Sequence, residues 1–241
     1  MTHQRRSWVS LSIHGLRIAA ARRGCGDPLL LLNGLSRPMQ SWTAFADALT
    51  ARTIVTFDAP GVGLSETPPG PLSMPMFSDI AMRVLNKFGF SKADVIGFSF
   101  GGAVAQQLAV CHPDLVNRLV LLSTSCGLGS VPGRTRDVIR KSLTFGHRPL
   151  PVTDPLGVFW QVAAISTWSS IPVLGHIEAP TLVLCGERDR TVPPANSKLL
   201  AGRIPNARLV TVPAGHDLQE PGPAAIVAKE VERFLDAAVP C

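Results

Sequence analysis

Three observations predict an α/β fold with a mostly parallel, doubly wound sheet, helices on both faces and a small cap. Short apolar runs suited to strands buried on both faces alternate with longer segments of helical period. A Gly-x-Ser-x-Gly turn at 97–101 joins one such run to one such helix. One stretch rich in Pro and Gly, from about Thr124 to Trp168, interrupts the alternation and is too long for an ordinary loop.

The chain opens with alternating residues over Trp8–Ile13 and Leu16–Ala21 around His14-Gly15, which predict an antiparallel hairpin. Strands are then expected at Leu29–Leu32, Thr53–Phe57, Asp94–Ile96, Leu119–Leu122, Thr181–Cys185 and Arg208–Val212. Helices are expected at Trp42–Ala48, Phe77–Phe88, Gly102–Cys111, Ala195–Ala201 and Pro223–Ala237. This order gives parallel pairing through helical crossovers. Residues 1–123 and 169–241 read as one core domain, and 124–168 as a cap inserted above one edge of the sheet. The aromatics of that insertion, Phe145, Phe159, Trp160 and Trp168, are expected either to line an apolar pocket or to pack cap on body. Gly127, Gly129 and Gly133 offer hinges at its start.

At 241 residues, 46% hydrophobic and 17% charged, the chain is long enough for one large core and too apolar for disorder. No window reaches the uninterrupted apolar length of a membrane span. After Arg5-Arg6 the chain takes a strand period, Val9-Ser10-Leu11-Ser12-Ile13, rather than a signal-peptide core, so an unprocessed cytoplasmic protein is expected. The formal charge is +6, but basic residues are spread along the chain. Their densest group, Arg134, Arg136, Arg140, Lys141 and Arg148, reads as a solvated face, and no nucleic-acid partner is expected. The five cysteines (Cys25, Cys111, Cys126, Cys185, Cys241) are odd in number and lack C-x-x-C spacing, which suggests neither a metal site nor a disulfide scaffold. Cys111 and Cys185 fall in apolar patterns and are expected in the core. Oligomeric state is not legible.

The chemistry-bearing residues sit just past predicted strand ends. Small-residue turns with an inert serine also match Gly-x-Ser-x-Gly, but here a strand precedes Gly97 and a helix follows Gly101, the setting of a nucleophile elbow. Ser99 would project above the sheet at a helix N-terminus, where N–H groups favour a developing negative charge. Asp189 follows the Thr181–Cys185 strand and His216 follows Arg208–Val212, in the chain order Ser, acid, His. His216 is expected to act as general base and Asp189 to orient it, with Glu187 the competing acid. His3, His14, His112, His147 and His176 lack this position. An oxyanion hole would use the backbone N–H groups of Phe100 and Leu35, with Gly34 letting the chain approach closely. Asn33 and Gly34 also read as a turn dipeptide.

These features are similar to those of the α/β-hydrolase superfamily, and within it the chain resembles intracellular medium-chain-length polyhydroxyalkanoate depolymerases. The resemblance spans most of the chain. It rests on Leu32-Asn33-Gly34, the run Phe57–Ser65 with its D-x-P-G-x-G-x-S, and Asp94–Gln107 around the elbow. It extends through Val131-Pro132-Gly133, Phe159-Trp160-Gln161, Pro180–Leu184 and Arg203–Ala207. It implies a serine hydrolase that cuts ester bonds between 3-hydroxyacyl units through an acyl-enzyme on Ser99, with Asp189 and His216 and without metal or cofactor. Asn33, Gly34, Trp160 and Trp168 are then expected to contact a small-molecule ester or polyester substrate. Asn33 departs from the His-Gly that many superfamily members carry, and the cap is shorter than in those depolymerases. General ester hydrolysis, lactone opening, carbon–carbon cleavage and perhydrolysis remain open on such a scaffold, as does a non-catalytic ligand receptor. Dehalogenases and epoxide hydrolases of the superfamily carry an aspartate nucleophile where this chain has Ser99.

Overall fold

The computed structural model describes residues 8–49, 51–134, 136–137, 144–145, 148–149 and 153–237. His3, Arg5-Arg6, Arg140, Lys141, His147, Cys241 and the Phe145 side chain lie outside the described residues. The chain order is β1 Trp8–Ile13, β2 Leu16–Arg23, β3 Asp27–Leu32, α1 Thr43–Asp47, β4 Arg52–Phe57, α2 Met74–Lys87, β5 Ala93–Phe98, α3 Phe100–Cys111 and β6 Val116–Leu122. It continues with the two-residue strands β7 Thr144–Phe145 and β8 Arg148–Pro149, then α4 Pro155–Ser166, β9 Thr181–Gly186, α5 Pro194–Arg203, β10 Ala207–Val212 and α6 Pro223–Leu235.

Eight strands form one sheet in the order β1-β2-β4-β3-β5-β6-β9-β10. The β1–β2 and β2–β4 pairs are antiparallel, and every later pair in that sheet is parallel. Strand alternation divides the core. Leu30, Val95, Leu119, Leu121 and Val183 face the layer of α2 and α3, whereas Leu29, Leu31, Ile96, Val120, Leu182 and Leu184 face the layer of α1 and α6. Both faces are buried, so the central strands are apolar throughout.

The expected elements are present, with shifted ends. The predicted helix over Trp42–Ala48 is a 3-10 turn, Met39–Trp42, followed by the five-residue α1. Helix α2 begins at Met74, before the expected Phe77, because Pro75 fits a first turn whose N–H groups have no helical acceptor. Helix α3 starts at Phe100, directly after the elbow rather than at Gly102. Cys111, expected in the core, is exposed at the last residue of α3, while Cys185 and Cys126 are buried. Helix α4 was not singled out in the sequence. Its start carries a clear signal: the Asp154 carboxylate accepts the Leu156 N–H at 2.9 Å, and Pro155 occupies the first position.

The parallel strands β3, β5, β6, β9 and β10 all end on one edge of the sheet. The loops that leave them carry Asn33–Arg37, Ser99, Ser123–Ser125, Glu187–Val192 and Pro213–Glu220. Convergent loops at strand C-termini are where open α/β sheets bind ligands.

Candidate active site

Ser99 sits between β5 and α3 at φ 51° and ψ −116°, a conformation that L-residues rarely adopt. It is held from several sides. Its N–H donates to the Leu122 carbonyl at 2.9 Å, and its own carbonyl accepts from Gly102 N–H at 2.9 Å and from Thr124 Oγ1 at 2.7 Å. The flanking glycines are required for space. A Cβ on Gly97 would meet Gly102 Cα at 2.6 Å, and one on Gly101 would run into the Leu32 and Asn33 carbonyls. Phe100 is the first residue of α3, so its N–H has no helical acceptor.

Asp189 and His216 come from neighbouring strands. The Nδ1 of His216 lies 2.8 Å from Asp189 Oδ2, and both side chains are buried. The other carboxylate oxygen, Oδ1, accepts the N–H groups of Thr191 at 2.9 Å and Val192 at 2.8 Å. Four constraints therefore fix the imidazole: that bond, the loop through Asp189, the packing of its ring 5.0 Å from Phe98, and burial. With Nδ1–H donated to Asp189, Nε2 is the nitrogen left for the pocket. Glu187 is exposed, and its backbone N–H bonds Val212.

Ser99 and His216 line one cavity of about 190 Å³, together with Gly34, Leu35, Phe98, Phe100, Ile165 and Val192. Leu35 and Phe100, expected as the pair of N–H donors, line this cavity with Ser99. A Cβ on Gly34 would lie 2.9 Å from the Phe98 ring and 3.4 Å from Ser99 Cβ, which explains the close approach of this loop. Asn33 does not line the cavity. Its amide nitrogen donates to the Pro38 carbonyl and Ser41 Oγ, both at 2.7 Å, and its Oδ1 accepts the Gly34 N–H, so the side chain staples its own loop. Trp160 and Trp168 also lie away from the cavity lining. Trp160 packs against Phe159, with ring centroids 5.1 Å apart, and Trp168 Nε1–H donates to Gln107 Oε1 at 2.6 Å. Of the segment 124–168, Thr124, Ser125 and Ile165 reach the pocket.

Several residues here have no site role expected from the sequence, although Asp58 and Gln161 lie in runs that carry the family resemblance. Arg37 lines the cavity although only 3% exposed, with Nη2 donating to Asp217 Oδ1 at 2.9 Å and Nη1 to Glu220 Oε1 at 3.2 Å. Burial pushes its guanidinium below the usual range, and Glu220 opposes that shift. Gln161 of α4 is fully buried and accepts the Ser36 N–H at 2.9 Å, and Thr153 Oγ1 donates to the Ser36 carbonyl at 3.3 Å. Asp58, in D-x-P-G-x-G-x-S, accepts the N–H groups of Met39 and Leu64 at 2.6 and 2.9 Å. Burial raises its carboxyl pKa against those bonds. Among the described residues no group of three or more His, Cys, Asp or Glu could hold a metal ion, and no helix is long and apolar enough to cross a membrane.

The chain is similar to known proteins throughout its length. A family model for the alpha/beta hydrolase fold matches residues 27–145 and 151–223. A poly(3-hydroxyalkanoate) depolymerase of Ectopseudomonas oleovorans is 35% identical over 78% of this chain and 77% of its own length. A 2-hydroxymuconate semialdehyde hydrolase of Pseudomonas putida is 30% identical over 92% of this chain and 91% of its own. The crystal structure of a hydrolase from Pseudomonas aeruginosa PA01 superposes with a TM-score of 0.85 at 28% identity, covering 98% of this chain and all of that one. With the parallel sheet, the strained serine and the strand-end His–Asp pair already in place, these likenesses establish that the chain belongs to the α/β-hydrolase fold family and is most like its polyhydroxyalkanoate depolymerases.

Proposed function

We propose that this protein is a serine hydrolase acting on uncharged carboxylic esters, with medium-chain 3-hydroxyalkanoate esters or polyester as the preferred class. The observation that carries the reading is the Asp189–His216 hydrogen bond at the pocket that Ser99 lines. In this reading Ser99 Oγ attacks the ester carbonyl while its proton passes to His216 Nε2. The tetrahedral oxyanion is met by the N–H groups of Leu35 and Phe100. As it collapses, His216 returns the proton to the departing alcohol and the acyl group stays on Ser99. Water, deprotonated by His216, then releases the acid and restores the serine. Asp189 keeps the imidazole in the useful tautomer and stabilises the imidazolium. The residues 124–168 act as a cap over this pocket, and α4 supplies its Ile165 wall.

The walls favour a neutral acyl group. Leu35, Phe98, Phe100, Ile165 and Val192 are apolar, and the Arg37 cation is already matched by Asp217 and Glu220. A second reading, hydrolysis of a carbon–carbon bond, is favoured by the likeness to the semialdehyde hydrolase. A muconate-type anion, however, would enter a pocket whose arginine already faces two carboxylates.

The test is acid release from p-nitrophenyl esters of increasing chain length and from suspended medium-chain polyhydroxyalkanoate, with Ser99→Ala as control. Ser99-dependent release of 3-hydroxy acids from the polymer supports the depolymerase reading. Turnover of soluble esters alone would make this an esterase, and activity confined to an anionic dienoate would overturn the ester reading.

A further inference from the structure

We propose that Arg37 is a positioning residue for catalysis, tying the loop that carries the Leu35 N–H to the loop that carries His216. This inference rests on the serine-hydrolase reading of the site. Arg37 lies two residues past Leu35, and its backbone N–H donates to the Gly34 carbonyl at 3.1 Å, closing the turn that displays Leu35. Its guanidinium reaches Asp217, directly after His216, and Glu220, four residues beyond it. One planar fork therefore spans two carboxylates of the histidine loop from the oxyanion loop.

The oxyanion loop needs such a tie. Between Leu35 and Arg37, Ser36 has φ 59°, a strained value for a residue with a Cβ, and such strain persists only where neighbours over-determine it. Gln161 and Thr153 hold Ser36 from the side of α4, and Arg37 holds the loop from the side of His216. The ion pair is not explained by stability. Burying a guanidinium and a carboxylate at 3% and 6% side-chain exposure is costly, and buried pairs often contribute little net folding energy. What the pair does provide is register between two loops whose donors and base must meet one tetrahedral centre.

The experiment compares kcat and KM for a soluble p-nitrophenyl ester, fluorophosphonate labelling of Ser99, and Tm in wild type, Arg37→Met, Arg37→Lys and Asp217→Asn. Misplacing one partner should lower kcat and the labelling rate about 10- to 100-fold in Arg37→Met and Asp217→Asn, with KM within about threefold of wild type. Arg37→Lys should recover part of that loss, since it keeps the charge but lacks the fork. If Arg37→Met fails to fold, the near-isosteric Asp217→Asn carries the test. An active wild type whose kcat is indifferent to both changes overturns the proposal, as does a loss confined to KM. A wild type that neither turns over esters nor takes the label overturns the serine-hydrolase reading and this inference with it.

Discussion

The strand ends and the segment 124–168 meet at the same pocket, but backbone and side chains share the work of holding them in different proportions. Around Ser99 the restraints come mostly from the backbone: the Leu122 carbonyl, the Gly102 N–H and the close approach of Gly97 and Gly101 to neighbouring main chain, with the Thr124 hydroxyl the one side chain among the described residues that joins them by a hydrogen bond. Asp189 is likewise fixed by two backbone N–H groups. The described part of the 124–168 segment has backbone anchors, Arg134 N–H to the Arg190 carbonyl and Asp154 N–H to the Gly61 carbonyl, and between and beyond them relies on side chains: Gln161 to Ser36, Trp168 to Gln107, Ser170 just beyond it to Gln106, and Asp154 to Thr67. Backbone restraints persist through most substitutions, whereas side-chain ties can be rewritten one residue at a time. The side-chain ties at α4 are therefore the part of the pocket's surroundings that single substitutions can alter while the strand-end backbone stays in place.

Substitutions at the strand ends break this comparison most severely. Ser99→Ala and His216→Ala should each lower kcat on esters by about 10⁴-fold or more, because each removes a step of one coupled mechanism, with Tm little changed. Initial rates and thermal melts check both halves of that expectation, and substantial turnover in either variant would remove the assigned roles. Asp189→Asn should follow at about 10²- to 10⁴-fold, since the amide favours the wrong histidine tautomer. Glu187→Gln is the internal control. It is exposed, and its kcat should stay within about twofold of wild type.

What the sequence reveals follows the same division. The elbow, the acid and the histidine were legible because each sits within a few residues of an apolar strand, and local spacing specifies its surroundings. The sheet was legible for the same reason. Element ends differ from the expected ones by up to three residues, as at Met74, where Pro75 sets the start of α2. The contacts of Arg37, Gln161 and Trp168 were not legible. Arg37 meets Asp217 across 180 residues, Gln161 meets Ser36 across 125, and Trp168 meets Gln107 across 61. No period or motif encodes such pairings. Asn33 shows the converse: its side chain bonds residues five and eight positions on, a local staple that the turn-dipeptide reading came near to.

Two substitutions sharpen the boundary between the regions. Gly34→Ala places a methyl 2.9 Å from the Phe98 ring and 3.4 Å from Ser99 Cβ, so either the 33–37 loop or the Phe98 ring that packs on His216 must shift. The expected result is a kcat about 10- to 100-fold lower with a smaller change in KM, read from ester kinetics. Gln161→Ala removes the bond to the Ser36 N–H and should cost about 1–3 kcal/mol of stability in denaturant titration. Its effect on kcat should be smaller than that of Gly34→Ala, because Thr153 and Arg37 still hold the loop.

The smallest effect is expected at Trp168, and it bears most directly on what the segment does. Its indole N–H donates to Gln107 Oε1, and its ring packs where a Cβ on Gly127 would meet Cε3 at 2.8 Å. Trp168→Phe keeps most of the apolar contact and loses the hydrogen bond, so stability should fall by about 1 kcal/mol. Since Trp168 does not line the cavity beside Ser99, kcat/KM should stay within about twofold for short and medium acyl chains alike. A loss above tenfold that grows with chain length would place Trp168 against the substrate, as its sequence position suggested. The segment would then recognise the acyl chain through its aromatics rather than through Ile165. An unchanged profile would leave Ile165 as the side chain of α4 that lines the cavity and assign Trp168 to holding the segment on α3.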